Sequence, residues 1–198
     1  MWWLIPVGLI GLKLLYDAMS DDEREARQRW EHKRREVESR IEEHQSTIDK
    51  HCAQAQSRYD FHFLRDLHYS SMRVADAAYQ LLADAGSSIA GMNKMLQEAK
   101  AQKTLLQVRL DKARQENNKA LIQDTSEQLK MVNELRKGIF ADKAKVKAQQ
   151  SAFLKKVKKL NRQTSALKAC IRDRCGNGGL VWFNQLEARK RFRRQWVR

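Results

Sequence analysis

The chain has 198 residues, with 39 Lys/Arg against 24 Asp/Glu for a net charge of +15, one proline and eight glycines. A sequence that is 32% charged and so poor in helix breakers excludes an ordinary two-layer domain built on a sheet, and points to long polar helices. The charge is uneven: residues 1–99 hold 13 basic and 16 acidic side chains, residues 100–198 hold 26 and 8, so the field that attracts anions belongs to the second half.

Residues 2–16, WWLIPVGLIGLKLLY, are the one concentrated apolar run. As helix they cover about 22 Å against a hydrocarbon core of roughly 30 Å, and Lys13 interrupts them. Snorkelling of Lys13, interfacial aromatic rings and local thinning make up the difference. Residues 1–19 are therefore predicted to be a single-pass transmembrane anchor made by Trp2, Trp3, Leu4, Ile5, Leu9, Ile10, Leu12, Leu14, Leu15 and Tyr16. A cleaved signal peptide would need a basic n-region and a small-residue cleavage site, and neither is present. The bland alternative is an apolar helix docked in a protein core. No Lys or Arg precedes the run, whereas Arg24, Arg27, Arg29, Lys33, Arg34, Arg35 and Arg40 follow it. That asymmetry predicts an inner-membrane protein with its C-terminus in the cytoplasm.

Residues 20–85 are predicted as a first long helix, because no Gly or Pro occurs from Asp17 to Asp84 and Trp30, Val37, Ile41 and Ile48 recur at helical spacing. Leu64, His68, Met72, Ala75, Tyr79 and Leu82 continue it as one denser face. Asp84-Ala85-Gly86-Ser87-Ser88 then predicts a turn over 86–91. Residues 92–175 are predicted as a second long helix. In it Val132, Ile139, Val146, Phe153, Leu160 and Leu167 repeat at intervals of seven, a heptad signature, and Met92, Leu96, Leu106, Leu110 and Ala113 form an earlier stripe in a shifted register. The candidate break is Glu116-Asn117-Asn118. Asn inside a helix costs only about half a kcal/mol relative to Ala, so continuity through 116–118 is the expectation.

Residues 176–198 read as a glycine-rich link, with Gly176 placed for a left-handed cap, followed by a short basic helix. Arg189, Lys190, Arg191, Arg193 and Arg194, with Trp182 and Trp196, form the candidate surface for an anionic partner. Arginines that meet lipid headgroups while rings enter the acyl boundary, or that neutralise phosphates while rings stack on bases, would use this composition. The competing use is packing of Trp182, Phe183 and Leu186 as a cap on the long helices.

Catalytic patterns are missing from the sequence: it holds no nucleophile elbow, HExxH helix or Walker loop, so no enzyme and no cofactor are expected. Cys52, Cys170 and Cys175 are an odd number without a disulfide framework, which fits a reducing compartment. No zinc set completes around them, and His32, His44, His51, His62 and His68 lack the spacing of helical metal ligands. The fold expected is all-α: a transmembrane helix, long antiparallel coiled-coil helices and a short basic helix. The function expected is a membrane-anchored scaffold or tether, with membrane lipid, a protein partner or self-association through the helices as partners. Nucleic acid is the alternative partner. A second alternative is a periplasm-spanning lysis component, since the layout resembles inner-membrane phage spanin subunits in being an anchor plus a coiled coil.

Overall fold

The structure is a computed structural model that describes the backbone of residues 6–54 and 60–196, and the side chains of 25–26, 28–54 and 60–192. Four helices account for it: α1 (Pro6–Gln54), α2 (Phe61–Gln115), α3 (Lys119–Arg174) and α4 (Gly176–Trp196). No strand occurs among the described residues. The chain divides into two compact units, one of residues 1–31 and 83–151, the other of residues 32–82 and 152–198.

No helix among the described residues is long and apolar enough to cross a membrane. The expected span 1–19 therefore finds no support in the described part of α1, where Lys13 and Asp17 interrupt the apolar run. Of the expected anchor residues, Leu9, Ile10, Leu12, Leu14, Leu15 and Tyr16 lie on α1, whose side chains before residue 25 are outside the described set. Trp2, Trp3, Leu4 and Ile5 lie outside the described residues altogether.

The helix boundaries correct the expectation at two places. The expected turn at 86–91 is helix, in the middle of α2. Gly86 and Gly91 cost ~1 kcal/mol each there, but Ala85 and Met92 are 3% exposed and join a core cluster with Ile139 and Val146, which more than offsets that cost. The expected continuity through 116–118 fails instead. Asn117 takes φ 51°, its N–H donates to Arg114 O at 3.1 Å, and Asn118 N–H donates to Ala113 O at 3.0 Å. That pair of bonds is a Schellman ending, with Asn in the position usually held by Gly. Asn118 then caps α3, its Oδ1 accepting from Leu121 N–H at 3.1 Å. Two helices, α1 described to Gln54 and α2 from Phe61, also stand where a single helix was expected over 20–85.

Asn117→Gly is expected to keep or slightly raise stability, because the left-handed backbone suits glycine, whereas Asn118→Ala is expected to cost about 1 kcal/mol through loss of the cap. Urea midpoints of the two variants check this. Equal losses would mean the turn is held by something other than these two amides.

In the unit that contains this turn, α2 and α3 run antiparallel. Ala99, Leu106, Leu110, Leu129 and Val132 make one buried cluster with Ile122 packed against it. The second cluster, around Met92 and Ile139, takes in Trp30 of α1. Arg109 and Asp124 approach to 3.7 Å near the turn.

The α3 stripe is buried as its heptads predict: Val132 3%, Ile139 3%, Val146 8%, and Phe153, Leu160 and Leu167 0% exposed. A matching stripe on α2 is made largely of small residues. Leu64, Ser71, Ala78, Ala85, Met92, Ala99, Leu106 and Ala113 stand seven apart and every one is buried. Small positions facing large ones let helices approach closely and still fill the core. The face expected over 64–82 is therefore half right: Leu64, His68 and Ala75 are buried, but Met72 and Tyr79 are each 45% exposed.

The other unit is a four-helix arrangement. Gln163 donates to Asp49 at 2.8 Å, Lys156 pairs with Glu42 at 2.9 Å, and Arg174 Nη1 donates to Cys52 O at 2.7 Å; later residues of α1 meet later residues of α3, so the two helices are parallel here. His44 Nε2 lies 3.1 Å from Ser70 Oγ and the His51 ring 4.6 Å from Phe63, so α2 runs the opposite way. Between them are Val37, Ile41, Ile48, Leu64, Val157 and Ile171.

Candidate anion-binding arm

Helix α4 is set by the corner before it. Gly176 has φ 64°, the left-handed cap expected of it, and Cys175 N–H donates to Ile171 O at 3.1 Å. The remaining glycines are not a flexible link, because α4 begins at Gly176. Gly179 is where α4 meets α3: a Cβ there would lie 2.1 Å from Ile171 O. Only a hydrogen fits, and the close approach that results folds α4 back along the bundle.

Trp182, one turn further on, is 7% exposed. Its Nε1–H donates to Tyr69 Oη at 3.1 Å and its ring meets His68 edge to face at 5.1 Å. The indole expected to engage an anionic partner is instead a packing anchor, since a buried ring offers no face for stacking. Lys168 of α3 bonds Glu187 of α4, and Lys168 and Arg172 both stand 5.0 Å from the Phe183 ring centre. These contacts hold the first half of α4 in place.

The described side chains after Glu187 face solvent. Arg189, Lys190 and Arg191 are exposed, and Phe192 is 61% exposed. Lys190 reaches Glu187 at 3.3 Å. The side chains of Arg193, Arg194 and Trp196 lie outside the described set. The bonds from Lys168 and then Lys190 hold the Glu187 carboxyl below the usual carboxylate range, so it stays ionised and keeps both lysines engaged. An open groove beside the arm is lined by Arg65, Tyr69, Trp182, Leu186 and Arg189.

His68, underneath this junction, is 4% exposed. Burial, with Lys168 and Lys190 nearby, pushes its imidazole from the ordinary 6.5 down to about 4. The unfolded chain therefore takes up this proton near pH 6.5 and the folded one only near pH 4. Above pH 6.5 the group is neutral in both states and stability is unaffected; as pH falls from 6.5 to 4 the unfolded state binds more protons and stability drops. A proton NMR titration of the folded chain should find one imidazole with a midpoint near 4. Five imidazoles all titrating above pH 6 would contradict this packing.

Two of the three thiols are held in the protonated, weakly nucleophilic form. Burial first, and then the neighbouring Cys170 thiol, push Cys52 up to about 12, while burial also raises Cys175. All three cysteines are free. Among the described residues no group of three or more His, Cys, Asp or Glu could hold a metal ion. The sequence reading missed Tyr69, Lys168 and Glu187 as the residues that dock α4. The helical spacing of Trp182, Phe183 and Leu186 signalled a packed face, but nothing in the local pattern named its partners.

No protein-family model, curated protein or solved structure matches this chain.

Proposed function

We propose that the chain is a non-enzymatic coiled-coil scaffold or tether that is attached to the inner membrane by its N-terminal apolar segment and presents the end of α4 to an anionic partner on the cytoplasmic side. The observation that carries this reading is the division of labour along α4. Its first half is docked by Trp182 and the Lys168–Glu187 pair, and its second half projects exposed Arg189 and Arg191. After Glu187 the chain adds six basic residues and no acidic one. A helix pinned at one end with bare cations at the other is suited to meeting a negatively charged surface, at modest cost in ordering.

Membrane attachment rests on residues 2–16, and the cytoplasmic orientation on the Lys/Arg that follow them. A cytoplasmic fluorescent reporter fused after Arg198 should glow in cells, and an alkaline phosphatase fusion there should be inactive. The opposite pattern would place the body in the periplasm and turn the reading toward the lysis-component alternative.

The arm is tested with the full chain in detergent micelles. Replacing Arg189, Lys190 and Arg191 together with Gln should weaken binding to heparin, used as a generic polyanion, and make it less dependent on salt by about three charges' worth. Unchanged heparin binding would remove the arm from the function.

A further inference from the structure

We infer that the outward face of α3 in the unit that carries α4, formed by Lys155, Lys158, Lys159 and Arg162, is a ridge that binds the phosphate backbone of double-stranded nucleic acid without regard to base sequence. This surface lies on a different helix from the α4 arm and does not depend on it.

The ridge starts from sequence. Between Asp142 and Asp173 the chain has ten Lys/Arg and no acidic residue. Folding sorts those cations. Lys156 turns toward α1 and pairs with Glu42 and Glu38 at 2.9 and 3.5 Å, and Lys168 pairs with Glu187. Lys155, Lys158, Lys159 and Arg162 are all exposed, and none has an acidic partner among the described residues. Their spacing of three, four and seven puts them on one side of the helix, opposite buried Phe153, Val157 and Leu160.

Four cations so arranged make like-charged neighbours at 155/158, 155/159, 158/162 and 159/162, each of which opposes the helix. No Asp or Glu stands within four positions of any of them on α3 to relieve this repulsion. A polyanion laid along the face relieves all four pairs at once. The ridge is about 10 Å long, and a duplex carries one negative charge per roughly 1.7 Å of axis, so the charge densities allow every cation a phosphate.

The rest of the face selects among polyanions. Ala152, Ser165 and Ala166 share it and are exposed, so a phosphate backbone meets no bulky side chain. No large apolar group is there to enter an acyl boundary, as an interfacial helix requires. No aromatic ring is there to stack on unpaired bases. What remains is charge alone, which suits duplex backbone.

The test uses the full chain in detergent micelles, a fluorescent duplex of about 30 base pairs, and a salt series from about 50 to 200 mM. The ridge variant carries Lys155→Gln, Lys158→Gln, Lys159→Gln and Arg162→Gln. The control carries Lys94→Gln, Lys100→Gln, Lys119→Gln and Lys130→Gln, an equal loss of charge elsewhere. The ridge variant should lose about tenfold or more in affinity at about 100 mM salt, with a log–log salt slope shallower by about three to four, while the control changes the slope by less than about one. Should the fourfold variant lose its helical circular dichroism, the pair Lys158→Gln with Arg162→Gln is used instead and should shift the slope by about half as much. Duplex affinity unchanged in a folded ridge variant overturns the inference. So does ridge-dependent binding of phosphatidylglycerol vesicles that exceeds duplex binding, because the partner would then be a lipid surface. If only the Arg189/Lys190/Arg191 variant loses duplex binding, the arm reading survives and the ridge fails. If only the ridge variant does, and heparin binding ignores the arm, the reverse holds.

Discussion

Phe153→Ala is expected to cost about 3 to 5 kcal/mol of stability, as much as truncation of a large buried side chain does. Phe153 is 0% exposed, at a heptad position, and is the largest fully buried side chain among the described residues. Removing its ring deletes the transfer free energy of a phenyl group and leaves a cavity that the stiff neighbours Val157 and Leu160 cannot close. Phe140→Ala is the matched comparison, since Phe140 has the same side chain on the same helix and is 50% exposed. Its loss should stay within about 0.5 kcal/mol. Urea midpoints of the two variants decide the matter, and similar shifts for both would mean the seam of α3 is not the one described.

Gly179→Ala is expected to release α4 from the bundle. The added methyl would sit 2.1 Å from Ile171 O and 3.0 Å from Cys175 Cβ, and backbone oxygen cannot swing aside as a flexible side chain would. Helix α4 must therefore back away, taking Trp182 from Tyr69 and Glu187 from Lys168. The loss should reach roughly 3 kcal/mol, the upper end for an overpacked core. Gly178→Ala tests the specificity of the effect, because its Cβ would meet the Phe61 ring at 3.7 Å, an ordinary contact. Amide hydrogen exchange across α4 should accelerate strongly in the first variant and little in the second. Equal protection in both would show that the corner tolerates a side chain.

The all-α class and the α3 seam were legible in the sequence because large apolar residues at intervals of seven are a strong periodic signal. The α2 seam was not. Its buried positions include Ser71, Ala78, Ala85, Ala99 and Ala113, which are as common on surfaces as in cores, so attention fell on bulky Met72 and Tyr79 although they face outward. The turns were misread in opposite directions. Gly86-Ser87-Ser88 looks like a break by composition, but propensity is a weak prior against a buried seam running through it. Asn117-Asn118 looks tolerable inside a helix, yet each Asn is well suited to one of the two capping positions that meet there. At the candidate site the basic end of α4 was legible from charge, which needs no partner to be seen. The burial of Trp182 was not, because it depends on α2 residues more than a hundred positions away.

The turn between α2 and α3 constrains how this hairpin can change length. Asn118 finishes the Schellman bonds of α2 and is already the cap of α3, so no spare residue lies between the helices. One residue inserted in either arm rotates everything beyond it by about 100° around that helix and takes its buried stripe out of the seam. Size variation in such a hairpin is therefore quantised: a longer or shorter form must gain or lose seven residues in α2 and seven in α3 together. Insertions and deletions fixed during its descent are expected as matched pairs on either side of Asn117-Asn118, and a heptad deleted from one arm alone should be compensated by a second deletion in the other.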